Sequence, residues 1–79
     1  MRTRYKNIHF EYLHCCANGK YKTWLCRSIH DDHLLGVVGY GYGAWPQYTF
    51  SPYEDTEFSH DCLADIADFL WQANQELTR

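Results

Sequence analysis

Residues 5–30 read YKNIHFEYLHCCANGKYKTWLCRSIH, and they decide the fold because two strand-like runs flank a turn signal. From residue 8 to residue 12 apolar and polar residues alternate, which is the period-2 pattern of a half-buried strand. Residues 21–30 are again rich in residue types that favour strands. Between the two runs, Asn18-Gly19 is a strong signal for a tight turn, because both positions accept positive φ. The stretch therefore predicts an antiparallel β-hairpin.

The same turn residues predict a register for the hairpin. If Asn18 and Gly19 are the two central residues of the turn, most large apolar side chains collect on one face, as a buried face requires. A second tight turn at Asp31-Asp32 extends that face to a third strand. The predicted pairs are Ile8 with Ile29, Phe10 with Arg27, Tyr12 with Leu25, Ile29 with Leu34, Leu25 with Val38 and Thr23 with Tyr40, with Leu13, Trp24 and Cys26 on the opposite face.

A fourth strand and a helix complete the pattern. Residues 47–51 predict a strand after a turn at 43–46, and Pro52 is expected to end the sheet. Ser59 is a good N-cap, and residues 60–77 have helical periodicity. The apolar stripe expected to pack on the sheet consists of Leu63, Ile66, Leu70, Ala73 and Leu77. Residues at spacings of three and four on the other side are Asp61, Asp65, Asp68, Gln72 and Glu76.

These elements predict an α+β fold, a ββββα antiparallel meander with one C-terminal helix across one face. We expect a single domain over residues 1–79, with the sheet in 1–51, an acidic loop in 52–58 and the helix in 59–78. A chain of 79 residues buries a thin core, which excludes a Rossmann-type or barrel enzyme and most deep substrate pockets. No arrangement of a nucleophile with a base stands out, so we expect a non-enzymatic protein without a cofactor.

The net charge of −3 conceals two halves of opposite sign. Residues 1–30 carry six basic residues and one acidic residue, which gives +5. Residues 31–79 carry nine acidic residues and one basic residue, which gives −8. This separation of charge is the most informative feature of the sequence about a partner.

Six acidic residues lie within fifteen positions of the loop and the helix, with no basic residue among them. They are Glu54, Asp55, Glu57, Asp61, Asp65 and Asp68. One interpretation is a solvated face that keeps the protein soluble. The functional interpretation is a surface for a basic partner protein, with Phe69 and Trp71 at the margin of the apolar arc as aromatic contacts. A homodimer through that margin is a further arrangement that the pattern allows.

The basic half supports an alternative function. Its six basic residues are interleaved with aromatic residues, a composition that suits single-stranded nucleic acid on a sheet face. They are Arg2, Arg4, Lys6, Lys20, Lys22 and Arg27, and the aromatic residues are Tyr5, Tyr12, Tyr21 and Trp24. No RNP-type or zinc-finger pattern accompanies them, and the whole protein is acidic, so a protein partner is the preferred hypothesis.

The start of the chain has no apolar run of the kind found in signal peptides, and we expect a cytoplasmic protein that does not enter a membrane. Thiols stay reduced in that compartment, so the cysteines are expected to be free and structural. Zinc is the second alternative, because residue types that bind it are present, but no Cys-x-x-Cys pair supports a site. The residues concerned are His14, Cys15, Cys16, Cys26, His30, His33 and Cys62.

The part of the chain from Leu35 to Leu70 resembles small uncharacterised proteins of phages and prophages. The matching segments are Leu35-Gly36-x-Val38, Trp45-Pro46-Gln47-Tyr48-x-Phe50-x-Pro52 and Thr56-x-Phe58-Ser59-x-x-Cys62-Leu63-x-Asp65-Ile66-x-x-Phe69-Leu70. That group includes anti-CRISPR inhibitors, which block host defence complexes by occupying DNA-binding or effector surfaces. The resemblance implies an inhibitor of a defence complex in the host cytoplasm, with a type I surveillance complex as the candidate target.

Overall fold

The computed structural model describes residues 1–13, 21–41 and 45–77, and it confirms the ββββα architecture. Four antiparallel strands form one sheet in the order β1-β2-β3-β4, and a C-terminal helix follows. The elements are β1 (Ile8–Tyr12), β2 (Trp24–Ser28), β3 (Leu34–Tyr40), β4 (Tyr48–Pro52) and α1 (His60–Leu77). The fold is therefore α+β, as the sequence predicts.

The register of the first hairpin differs by one residue from the predicted register. Phe10 lies opposite Cys26 and Tyr12 opposite Trp24, so Trp24 and Cys26 enter the core. A one-residue shift exchanges the two faces of a strand, because successive side chains point to opposite sides. The predicted assignment of Arg27 to the face of Phe10 is therefore wrong. The turn residues Asn18 and Gly19 lie outside the described residues.

The charge of Arg27 explains why the observed register is the better one. On the core face its guanidinium would be buried among apolar side chains, and an unpaired buried charge costs several kcal/mol. On the open face of the sheet Arg27 Nε donates to Glu11 Oε1 at 3.1 Å, and Nη1 donates to the backbone oxygen of Asp32 at 3.1 Å. The shift also buries the indole of Trp24, the largest side chain of β2.

The second turn is longer than the predicted two-residue loop. The N–H of Ser28 donates to the carbonyl of His33 at 2.9 Å, so this hydrogen bond encloses four residues, 29–32. Asp32 adopts a φ of 58°, and Asp31 Oδ1 accepts the N–H of His33 at 3.0 Å. An irregularity in the pairing then makes Leu35 an extra residue in β3. The predicted pairs across this turn are wrong because the loop and the bulge both shift the register.

Aromatic side chains dominate the core between the sheet and the helix. Phe69 is 0% exposed, and its ring stacks on Phe10 with centroids 3.8 Å apart. Trp24 meets the same ring edge-on at 5.1 Å, so strands β1 and β2 both pack on one helix residue. The buried apolar residues are Tyr5, Ile8, Phe10, Trp24, Cys26, Val38, Tyr48, Ile66, Phe69 and Ala73.

Burial of Phe69 turns the helix away from the predicted orientation. Ile66 and Ala73 of the predicted stripe are buried, whereas Leu63 is 52% exposed and Leu77 is 37% exposed. An aromatic ring contributes more buried apolar area than a leucine, so the helix packs on the sheet through the face centred on Phe69. The helix begins at His60, and Ser59 Oγ accepts the N–H of Cys62 at 3.3 Å, as the predicted N-cap requires.

The outer edge of β4 is protected by the helix. Asn74 Oδ1 accepts the N–H of Tyr48 at 2.7 Å, and Asn74 Nδ2 donates to the carbonyl of Tyr48 at 3.3 Å. The N–H of Tyr53 donates to the carbonyl of Leu35 at 3.0 Å, which places Pro52 at a position that does not bond to β3. Pro52 therefore fits inside the strand, one residue beyond the predicted end, because its missing N–H would face outward.

We predict that Gly36→Ala destabilises the fold. An added Cβ would lie 2.5 Å from Phe50 Cζ and 2.8 Å from the Ser51 carbonyl oxygen, so either the ring or the strand must move. Overpacking of this kind costs roughly 1–3 kcal/mol, measurable by urea unfolding. Phe50→Leu is the partner variant. Because it removes the end of the ring, Gly36→Ala should cost less in the Phe50→Leu background, and equal costs in both backgrounds would contradict this packing.

Candidate acidic interaction surface

The loop and the helix present the acidic surface, which we define as Glu54, Asp55, Glu57, Asp61, Asp65 and Asp68. The three loop residues are exposed in the segment that joins β4 to α1. Within that loop Asp55 adopts a φ of 61°, and Thr56 Oγ1 donates to the carbonyl of Tyr53 at 2.7 Å. On α1 the three aspartates follow each other at spacings of four and three, which puts them on one side of the helix. Asp61 and Asp68 are exposed, and Asp65 is half-buried.

Within the described residues, the carboxylates of the acidic surface form no ion pair with a lysine or an arginine. Arg27 forms its ion pairs away from this surface, with Glu11 and Asp32 on the open face of the sheet. The pair at the acidic surface is between His60 Nε2 and Asp61 Oδ1 at 3.1 Å, and it is ionic when the histidine is protonated. Like charges at these helix spacings cost a few tenths of a kcal/mol each. The repulsion between neighbouring aspartates of α1 is thus a small cost to stability.

Asp68 differs from the other acidic residues because it holds the N-terminal segment. The hydroxyl of Tyr5 donates to Asp68 Oδ2 at 2.7 Å, and Gln72 Nε2 donates to the same oxygen at 3.2 Å. Burial, and then the hydrogen bond to Asp68, raise the pKa of Tyr5 well above its ordinary value. The sequence pattern does not predict this contact, because 63 residues separate the two side chains. Asp68 therefore contributes to the fold.

Gln72 fastens the N-terminal segment to the helix through the backbone. Its Oε1 accepts the N–H of Arg2 at 2.8 Å, and its Nε2 donates to the carbonyl of Arg2 at 3.3 Å. The guanidinium of Arg2 lies over the ring of Tyr5, 4.3 Å from the centroid, and Arg2 Nε donates to the carbonyl of Arg4 at 3.1 Å. A basic, extended segment is thus seated beside the acidic face of α1.

Phe69 and Trp71, the two aromatic residues predicted at the margin of the apolar arc, differ in their exposure to solvent. Phe69 is fully buried, so the prediction that it contacts a partner is wrong. Trp71 is 64% exposed. Two residues advance about 200° around an α-helix, so burial of one of these side chains turns the other outward. Trp71 therefore lies on the same solvent-facing half of α1 as Asp61 and Asp68.

The structure removes two aromatic residues from the expected platform for nucleic acid and keeps one basic–aromatic pair, Lys22 Nζ over the ring of Tyr12 at 5.9 Å from the centroid. Tyr5 and Trp24, two of the predicted stacking residues, belong to the core. Tyr21 stacks on Tyr40 with centroids 3.7 Å apart, and Arg27 is engaged in the ion pairs described above. Lys20 lies outside the described residues.

The thiols and histidines form no metal site in the described residues, where no group of three or more potential ligands is arranged to hold an ion. Cys26 is buried, and burial raises the pKa of its thiol to about 12, which makes it a poor nucleophile. Cys62 is half-buried and packs against the core. The predicted zinc candidates His14, Cys15 and Cys16 lie outside the described residues.

Comparison of the chain with protein-family models, curated proteins and solved structures found no match. None of the helices in the described part of the chain is long and apolar enough to cross a membrane.

We predict that Tyr5→Phe flattens the loss of stability at alkaline pH. The folded protein holds the Tyr5 proton more tightly than the unfolded chain, where tyrosine has a pKa near 10.0. This contribution to the free energy of unfolding is therefore present below about pH 10 and falls as the pH rises further. Urea unfolding between about pH 9 and 11 should show a steeper decline for the parent protein than for Tyr5→Phe.

The control is Tyr53→Phe, which removes an exposed phenol from the β4–α1 loop. This variant should keep the steep decline of the parent protein. At neutral pH, Tyr5→Phe should lower the free energy of unfolding by about 1–3 kcal/mol, because a hydrogen bond to a charged group is lost. Parallel declines for all three proteins would show that folding does not raise the pKa of Tyr5.

Proposed function

We propose that this protein is a non-enzymatic interaction protein whose acidic surface binds a basic surface of a partner protein. The observation that carries the proposal is the missing ion-pair partner of that surface. In the described residues no arginine or lysine forms an ion pair with its carboxylates, although Arg27 pairs with other acidic residues. Six acidic residues without a lysine or arginine partner suit a surface whose binding partner supplies the opposite charge.

Exposed carboxylates of this kind act mainly on the rate of association. Their field attracts a basic partner over about a Debye length, which is roughly 10 Å at 0.1 M salt. Close contact then needs apolar area as well, and the exposed indole of Trp71 beside Asp68 supplies it. The acidic surface thus guides the encounter, and the aromatic side chain favours a longer-lived complex.

The candidate partner follows from the sequence resemblance alone. Among small proteins of phages and prophages, anti-CRISPR inhibitors bind host defence complexes. Surfaces that bind DNA are basic, so an acidic protein can occupy them in place of phosphates. We propose a host defence complex in the cytoplasm as the partner, with a type I surveillance complex as the candidate, and inhibition of its DNA binding as the outcome.

We predict that the double variant Asp61→Lys/Asp65→Lys loses inhibition. The assay is DNA binding by a purified type I surveillance complex, with and without the protein. Reversal of two charges changes the formal charge of the acidic surface from −6 to −2 and weakens the attraction, so the inhibitory concentration should rise by about tenfold or more. Asp68 is left unchanged because it holds Tyr5. Inhibition by the parent protein should weaken as salt is raised, since exposed charges are screened.

The matched comparison is Asp61→Asn/Asp65→Asn, which should also weaken inhibition, with the control Glu11→Gln/Asp31→Asn. Both double variants remove two charges, and the amide oxygens of the control still accept the hydrogen bonds from Arg27 and His33. Glu11 lies on the open face of the sheet and Asp31 in the β2–β3 turn, so neither belongs to the acidic surface. This control should inhibit like the parent protein. Equal effects of both double variants would overturn the role of the acidic surface. Binding of single-stranded oligonucleotides that is lost in Lys22→Glu would instead favour the nucleic-acid alternative.

A further inference from the structure

A groove lies beside the exposed indole of Trp71 in the C-terminal half of α1. It is lined by Met1, Trp71, Gln72, Gln75 and Glu76. Its walls combine an aromatic face and a thioether with amide groups and one carboxylate. Among the residues that the structure describes, no lysine or arginine side chain lines it. An aromatic ring with a carboxylate nearby is the chemistry that holds a cationic side chain.

The chain itself shows how this region of the molecule holds an arginine. On the adjoining N-terminal segment, Arg2 lies over the ring of Tyr5 at 4.3 Å, and the hydroxyl of Tyr5 donates to Asp68. The backbone of Arg2 is fixed by both groups of the Gln72 side-chain amide. An extended basic segment is therefore already accommodated here, with its guanidinium on an aromatic ring that is anchored to a helix carboxylate.

We infer that the groove beside Trp71 binds an arginine side chain from an extended segment of the partner protein. This inference rests on the proposed function and names the group that the partner contributes. The guanidinium stacks on the indole of Trp71, and the carboxylate of Glu76 pairs with it. The apolar stem of the arginine packs against Met1.

Arginine fits this groove better than a lysine, a second copy of this chain or a purely apolar segment. Its planar guanidinium stacks on an indole and pairs with a carboxylate, whereas the ammonium of lysine is a compact, strongly hydrated charge. A second copy of this chain docked helix to helix would bring Asp68 and Glu76 towards the same acidic residues, and like charges repel. A purely apolar segment would remove water from Glu76 without pairing it.

The test is titration of the ¹⁵N-labelled protein with a short peptide that contains two arginines, followed by NMR. The chain has three tryptophans, so the spectrum contains three indole N–H signals, one from each side chain. Trp24 is buried, and Trp45 is 64% exposed, like Trp71, but lies in the loop before β4. The Trp71 signal should shift to saturation, while the Trp45 signal stays in place. No shift of Trp71 at millimolar peptide, or equal shifts of both signals, would overturn the inference.

Variants then assign the chemistry. Backbone signals of Gln72 and Gln75 report binding when the indole is removed. Trp71→Ala should weaken binding of the arginine peptide by roughly tenfold. Glu76→Gln should weaken it severalfold, and the control Trp45→Ala should leave it unchanged. The matched lysine peptide should bind more weakly than the arginine peptide, and equal or tighter binding of lysine would contradict the stacking on Trp71.

The same variants separate this inference from the proposed function. If Asp61→Lys/Asp65→Lys abolishes inhibition of the surveillance complex and Trp71→Ala leaves it intact, the role of the acidic surface is supported and the arginine subsite is contradicted. If the Trp71 groove binds the arginine peptide and Asp61→Lys/Asp65→Lys still inhibits the complex, the arginine subsite is supported and the proposed role of the acidic surface is contradicted.

Discussion

The stack of Phe69 on Phe10, with ring centroids 3.8 Å apart, fixes how the helix sits on the sheet. Trp24 packs edge-on against the same ring, so one helix residue joins the first two strands. A stripe centred on Leu63 and Leu77 would leave that ring near water and bury less apolar area. The rotation of α1 about its own axis is therefore decided by where its largest apolar side chain goes.

This rotation determines what the surface can offer a partner. With Phe69 directed inward, Trp71 and the helix aspartates face solvent on the other half of α1. The same rotation presents Asp68 and Gln72 to the N-terminal segment, where Tyr5 and Arg2 are held. The polar network at this end is thus a consequence of the aromatic core, and it creates the groove beside Trp71.

The alternation in the first strand, the helical period after residue 59 and the Ser59 cap are local signals, and they predict the elements and their order. The faces of β2 are not predicted correctly, because both faces carry apolar residues. Trp24 and Cys26 lie on one face, and Leu25 lies with Arg27 on the other. Only pairing with β1 and β3 decides between them, and it favours the register that leaves the Arg27 charge near Glu11. On the helix, the sequence pattern allows a buried face that contains either Phe69 or Leu63. Packing against the sheet selects the face with Phe69.

Residues close together in the chain are enough to predict the ββββα order, the capped helix and the separation of a basic half from an acidic half. Which of those charges remain available depends on contacts that form only in the folded protein. Arg27 is paired across the sheet, Arg2 is seated over Tyr5, and Asp68 is bonded to that tyrosine from 63 positions away. Such contacts depend on packing between distant segments, where a one-residue shift or a rotation of the helix changes every partner.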